Sequence, residues 1–202
     1  MPITIPTGYI TEHGSFLYKM IEISDETDSV KGWSIVSIGY DTKMRKFSCN
    51  STYEGYPIIS LNRAFAHYEY ESLDVSGMDT SNVIDMSNVF AWAQELRDID
   101  ISMWDTHNVR NTHEMFLGCT EIKTIDIRNL HVDTAERMFY LCDNILYVVT
   151  SSHNVVNTFK NDDSFFILNI TNKKFNSINI NSLMAKASLT GNNKLCIHIT
   201  DI

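Results

Sequence analysis

The feature that most constrains the fold of this chain is a motif that recurs every 26 residues through its middle. The tetrapeptide Leu-Asp-Val-Ser at 73–76 returns as Ile-Asp-Ile-Ser at 99–102 and as Ile-Asp-Ile-Arg at 125–128. The apolar residues that follow keep the same offset, except that the third copy is three residues shorter before Val132. A unit of this size cannot bury its own apolar side chains, so the repetition predicts that successive units stack on one another.

Each unit contains two patterns in succession. Leu73-Asp74-Val75 alternates apolar and polar residues, which is typical of a short, half-buried strand. The segment Asp-Thr-Ser-Asn at 79–82 is rich in residues that form turns and helix N-caps. Val83, Met86, Val89 and Phe90 then follow at helical spacing. The pattern therefore predicts one strand and one helix in every repeat.

These motifs resemble the BspA-like leucine-rich repeat of bacterial surface proteins, whose pattern is close to L-D-L-S-x-x-D-T-S-N-V-x-x-M-x-x-M-F-x-G-C-x-x-L. Residues 73–76, 79–83, 115–119 and 122 fit that pattern. The resemblance implies an α/β solenoid, leucine-rich-repeat-like, with a parallel sheet and one helix per repeat, and a general habit of binding macromolecules. We expect the repeats to span 56–170, with a β-rich N-terminal cap at 1–55 and a mixed C-terminal cap at 171–202.

The composition narrows the possible partners. A formal net charge of -9 argues against direct binding of nucleic acid and favours a basic protein partner. We expect a soluble, cytoplasmic chain without a membrane association, because no signal peptide or run of about 20 apolar residues is visible. The four cysteines form no CxxC pair, so we expect reduced thiols, no metal site and no cofactor.

Two groups of residues are candidates for contacts with a partner. Asp74, Asp100 and Asp126 recur in register at outward strand positions, where like charges about 5 Å apart repel unless something compensates them. Local hydrogen bonds are one compensation, and a partner or a cation is another. Met103, Trp104 and His107 lie at the turn after the second strand, where exposed Trp and Met would be plausible interface anchors.

No catalytic signature stands out. Ser102, Asp105 and His107 lie on one segment, but Ser102 and Asp105 occupy consensus positions of the repeat family that the chain resembles, and there is no phosphate loop, HExxH or GxSxG. We therefore expect a non-enzymatic protein-binding module, for example an inhibitor or adaptor encoded by a phage or mobile element and acting on a bacterial protein. One alternative is a surface or virion protein with a structural or adhesion role. A less favoured one is an enzyme or ligand-binding protein with a site in the flanks near His13, Tyr40 or Cys49. The oligomeric state stays open.

Overall fold

A computed structural model describes the chain over residues 9–13, 16–24, 28–38, 45–69, 71–159, 165–175, 179–189 and 194–200. In this part of the chain, strands dominate and three short helices lie near the C-terminus. The strands are β1 (Ile10–His13), β2 (Phe16–Ser24), β3 (Ser29–Ile38), β4 (Lys46–Cys49), β5 (Thr52–Tyr53), β6 (Tyr56–Ser60), β7 (Ser72–Met78), β8 (Asp98–Ile99), β9 (Thr124–Ile127), β10 (Tyr147–Thr150), β11 (Phe165–Ile170) and β12 (Lys194–Ile199). The helices are α1 (His153–Phe159), α2 (Asn172–Phe175) and α3 (Ile180–Leu189).

The N-terminal sheet has five strands in the order β1-β2-β3-β6-β5. Its pairs are antiparallel except for β3 and β6, which run parallel. Phe16, Tyr18 and Met20 alternate along β2 and point inward, as a strand with one buried face requires. Trp33 on β3 is fully buried and its Nε1 donates to the Tyr53 carbonyl oxygen at 2.7 Å. This sheet packs into the same core as the middle of the chain.

The middle and C-terminal strands are parallel and belong to two further sheets. One has the order β4-β7-β8, and the other has the order β11-β12-β10-β9. Leu73 pairs with Ile99 across β7 and β8, and Ile125 pairs with Val148 across β9 and β10. Equivalent residues of successive units therefore lie side by side in the pairs that the structure describes.

The segment after each of the strands β6, β7, β8 and β9 is a chain of turns, whereas the helix α1 follows β10. Each turn segment contains two residues in the left-handed region, four positions apart; these are Arg63 and His67, Asn88 and Trp92, Glu114 and Gly118, and Arg137 and Leu141, with φ between 53° and 68°. Alternate backbone N–H groups donate to the neighbouring unit, as from Phe90 to the Met115 carbonyl oxygen at 2.9 Å. Others close turns within the unit, as from Ala91 to the Asn88 carbonyl oxygen at 3.0 Å.

The predicted α/β solenoid, leucine-rich-repeat-like with one helix per repeat, is therefore wrong. An α-helix needs consecutive right-handed residues and N–H bonds to the residue four positions earlier, and the left-handed residues interrupt both. Val83, Met86, Val89 and Phe90 are all buried, but successive four-residue turns place them there. The described strands also divide among three sheets of five, four and three strands instead of forming one parallel sheet.

Stacked phenylalanine rings form the centre of the main core. Neighbouring rings have centroids 5.2 to 5.7 Å apart and planes within 25° of each other; the file consists of Phe65, Phe90, Phe116, Phe139 and Phe159. A second, smaller core lies on the other face of the C-terminal sheet. There Val149, Leu195 and Ile197 pack against Leu183 of α3 and Phe175 of α2.

Candidate functional site

An open groove of about 560 Å³ runs across the outward face of four parallel strands. The strands β7, β8 and β9 contribute acidic and hydroxyl side chains, and β10 contributes Tyr147 and Val149. The groove is lined by Arg45, Ser72, Leu73, Asp74, Asp98, Ile99, Asp100, Thr124, Ile125, Asp126, Tyr147, Val149, Phe175 and Ile180. We call this surface the acidic groove.

The alternation of the repeat strand sets the composition of the groove. Leu73 and Val75 are buried in the main core, so Asp74 between them points outward. The same alternation exposes Asp126 between the buried residues Ile125 and Ile127. Parallel pairing in register then places equivalent outward residues on neighbouring strands. The sequence correctly brings Asp74, Asp100 and Asp126 to one surface.

Asp74 and Asp126 are compensated by cations of the chain itself. Lys46 Nζ lies 3.3 Å from an Asp74 carboxylate oxygen, and Arg128 Nη2 lies 2.7 Å from an Asp126 carboxylate oxygen. The Ser76 hydroxyl donates to Asp74 at 2.6 Å, and this bond holds the pKa of Asp74 below its usual range. Both outer carboxylates are therefore paired with a cation of the chain itself.

Asp100 is held differently. The backbone N–H of Ser102 donates to its carboxylate at 2.9 Å, and this bond lowers the pKa of Asp100. Among the ion pairs of the described residues, none involves Asp100 or its neighbour Asp98. Asp98 lies on β8 and Asp100 directly follows that strand, so both residues lie at the centre of the groove. The centre of the groove thus carries two carboxylates that no cationic side chain of the described chain pairs with.

Apolar side chains form one end of the groove. Tyr147 of β10, Phe175 of α2 and Ile180 of α3 are each half-buried there. The Arg128 guanidinium lies 4.6 Å from the centroid of the Phe175 ring, so it joins the Asp126 ion pair to this wall. The acidic centre and the apolar wall are therefore adjacent parts of one surface.

The three residues predicted at the turn lie apart from the groove lining. Met103 is 75% exposed, and His107 is exposed with its Nδ1 2.5 Å from Asp105 Oδ1. Trp104 is only 4% exposed: its ring stacks on Phe90 and its Nε1 donates to the Val75 carbonyl oxygen at 3.2 Å. The expectation that Trp104 offers an exposed anchor is wrong, because the indole belongs to the main core.

Sequence reasoning missed Asp98 and Phe175 as groove residues. Asp98 lies 26 positions after Ser72 and 26 before Thr124, so the repeat offset was a signal that could have found it. Phe175 reaches the groove through α2, which lies beyond the repeat. No spacing in the sequence could have placed it there.

The other candidate chemistry does not assemble in the described residues. Within them, no group of three His, Cys, Asp or Glu side chains could hold a metal ion. The Ser102 hydroxyl is hydrogen-bonded to Asp100, so it does not join Asp105 and His107 in a triad. Cys49 is half-buried, and burial raises the pKa of its thiol to about 11. Tyr40 and the side chain of His13 lie outside the described part of the chain.

The described helices also include none long and apolar enough to cross a membrane. In the described residues, the fold and the groove together define a β-rich protein of stacked, turn-linked units with an open acidic groove on its strand face.

The chain belongs to the family described as "Mycoplasma protein of unknown function, DUF285", whose model matches residues 59–178. The match covers the repeated segment, so the predicted membership in the BspA-like leucine-rich repeat family is wrong. No match was found among the curated proteins or the solved structures.

Proposed function

We propose that this chain is a non-enzymatic protein-binding module that engages its partner through the acidic groove. The observation that carries the proposal is the pair Asp98 and Asp100, which lies at the centre of an open groove and forms no ion pair among the described residues. Asp100 accepts a hydrogen bond from the Ser102 N–H, but no cationic side chain of the described residues faces either carboxylate as an ion-pair partner. Solvated like charges side by side are destabilising, and a basic group of a partner would neutralise them. Such a module acts by occupying a surface of its partner, as an inhibitor or an adaptor does.

The charge of the chain supports a protein partner over a nucleic acid. The formal net charge is -9, and the groove itself is lined by four aspartates against one arginine, Arg45. A phosphate backbone would be repelled by this surface, whereas a basic protein would be attracted and steered toward it. The apolar wall of Tyr147, Phe175 and Ile180 adds the kind of contact that gives a protein interface its affinity.

The proposal is tested by affinity capture with three forms of the full chain. The wild type is compared with Asp98→Arg/Asp100→Arg, which reverses the groove, and with the control Glu136→Arg/Asp143→Arg. Glu136 and Asp143 are exposed and lie outside the groove lining, so the control makes the same change in net charge elsewhere. Bacterial lysate is passed over each immobilised form, and the retained proteins are identified by mass spectrometry.

We expect a protein that the wild type and the control retain and the groove variant loses. The purified partner should then bind the wild type at least about tenfold more tightly than the groove variant, a difference of about 1.4 kcal/mol. Circular dichroism checks that all three forms fold alike. Retention that is equal in the groove variant, or no retained protein in repeated captures, would contradict the proposal.

A further inference from the structure

We infer that the acidic groove accepts an extended segment that carries an arginine or lysine and, about three residues away, a large apolar side chain. This inference rests on the proposed function and names the chemistry of the partner segment. It follows from the order in which the groove presents its groups. Asp98 on β8 and Asp100 directly after it form no ion pair among the described residues, Asp126 on β9 is paired with Arg128, and an apolar wall lies beyond β9.

The cationic position is set by Asp98 and Asp100. They are separated by the single residue Ile99, so they point to the same side of the chain. Lys46 pairs with Asp74 and Arg128 with Asp126, which leaves the β8 carboxylates between two satisfied neighbours. A guanidinium can donate to two carboxylates at once through its planar fork of N–H groups. The centre of the groove is thus complementary to one arginine, or less well to one lysine.

A metal ion does not explain the β8 carboxylates equally well. Metal ions such as Ca²⁺ require several oxygen ligands converging on one point. No group of three acidic, histidine or cysteine side chains among the described residues converges in this way. A side-chain cation requires fewer ligands than a metal ion, because acceptors on one of its sides are sufficient.

The apolar position is set by Tyr147, Phe175 and Ile180. All three are half-buried, so part of each side chain is covered by the protein and part is available to a partner. The strand β10 that carries Tyr147 comes two strands after β8. The stacked rings of the same units, Phe116, Phe139 and Phe159, lie 5.4 and 5.7 Å apart. Two such steps span roughly 10 Å, and an extended chain covers that distance in about three residues.

The strand β9 lies between the two positions and does not require a further charge on the partner segment. Thr124 and Asp126 are the outward residues of β9 in the groove, and Asp126 is already paired with Arg128. A small or polar residue of the partner segment fits opposite them. The groove therefore selects the spacing of one cation and one apolar group more than it selects overall positive charge.

The inference is tested with fluorescent seven-residue peptides and the full-length chain. One set carries Arg and Leu separated by two Ser or Gly residues, in both orders. Matched peptides replace Arg by Glu, replace Leu by Ser, or place Arg and Leu next to each other. Binding is measured by fluorescence anisotropy at low salt and again at physiological salt, because charge contacts weaken as salt rises.

We expect one order of the Arg-x-x-Leu peptide to bind at least about tenfold more tightly than the Glu peptide and about threefold more tightly than the adjacent-residue peptide. Asp98→Asn/Asp100→Asn should lower that affinity about tenfold, whereas Glu136→Gln/Asp143→Asn should leave it unchanged. Asn keeps an oxygen that accepts the Ser102 N–H, so the groove variant is expected to fold. Ile180→Ser should weaken the Leu peptide and leave the Ser peptide unaffected.

Equal binding of the Arg and Glu peptides, unchanged affinity in the groove variant, or no binding at about 1 mM peptide would overturn the inference. Arg peptides that bind regardless of spacing would overturn the motif as well. A partner captured through the groove together with failure of these peptides would leave the protein-binding function standing and reject only the motif. Failure of both experiments would reject both.

Discussion

The ring of Phe90 lies parallel to the ring of Phe116, with centroids 5.2 Å apart and 14° between the planes. The two residues are 26 positions apart, so one repeat of the sequence corresponds to one step along the file of stacked rings. Each ring in the file is enclosed by its neighbours on both sides. A ring removed from the middle would therefore leave a void that the next unit cannot fill by small movements.

Phe116→Ala should lower the free energy of unfolding by about 3 to 5 kcal/mol, because it removes a fully buried ring and leaves a cavity. Urea unfolding followed by circular dichroism measures the change. Tyr140 is 52% exposed, so Tyr140→Ala serves as the control with a loss of under about 1 kcal/mol. Equal losses in the two variants would show that the file of rings does not hold the units together.

Gly118 should be the least replaceable turn residue. Its φ is 68°, and a Cβ added there would lie 2.6 Å from Trp92 Cε3. Gly118→Ala should therefore lower the free energy of unfolding by about 1 to 2 kcal/mol, because alanine is unfavourable in the left-handed region. It should lower it further because the new Cβ collides with the indole. In a double-mutant cycle followed by urea unfolding, Trp92→Ala should relieve the collision and leave the backbone cost. Strictly additive losses would rule out the contact between the two residues.

The turn segments explain why the helix prediction was wrong although the buried positions were right. Every third or fourth residue is apolar in a helix that packs on a core, and the same spacing arises from successive four-residue turns. What separates the two is the backbone hydrogen bond: the Phe90 N–H reaches Met115 in the next unit instead of a residue of its own segment. A contact between units is invisible in the pattern of one unit.

Trp104 shows the opposite case, in which the information was present in the sequence. Met78, Trp104 and Leu130 follow one another at intervals of 26 residues, and all three are buried. A column of large apolar residues at a fixed offset indicates a core position whatever its turn neighbours are. The wall of Phe175 and Ile180 could not be placed in this way, because α2 and α3 have no counterpart among the repeats.

The thiols should differ sharply in accessibility. Cys119, Cys142 and Cys196 are buried, and burial raises the pKa of Cys142 and of Cys196 to about 12. The thiolate is the reactive form, so these groups should resist a disulfide reagent in the native chain. We expect all four thiols to react in denaturant and Cys49, which is half-buried, to react first and slowly in the native state. Rapid native labelling of three or four thiols would contradict the buried placement.

His198 should make stability depend on pH. It is 2% exposed, and burial lowers the pKa of its imidazole, with the nearby His153 ring adding to the effect. The unfolded chain takes up a proton near pH 6.5 while the folded chain stays neutral, so the stability contributed by His198 is complete above about pH 6.5 and is lost as pH falls toward the folded pKa. The unfolding free energy between about pH 8 and 5.5 should therefore fall less steeply in His198→Gln than in the wild type.

Asn169→Asp provides the reversed case. The Asn169 side-chain oxygen lies 2.8 Å from His198 Nδ1, so the substitution places a carboxylate against the ring and should raise the pKa of His198. If that pKa rises above the unfolded value, stability from this pair is present below about pH 6.5 and is lost as pH rises through the folded pKa. The unfolding free energy of the variant should then fall with rising pH, whereas that of the wild type rises with pH. Identical slopes in the wild type, His198→Gln and Asn169→Asp would mean that the imidazole titrates alike in the folded and unfolded chains.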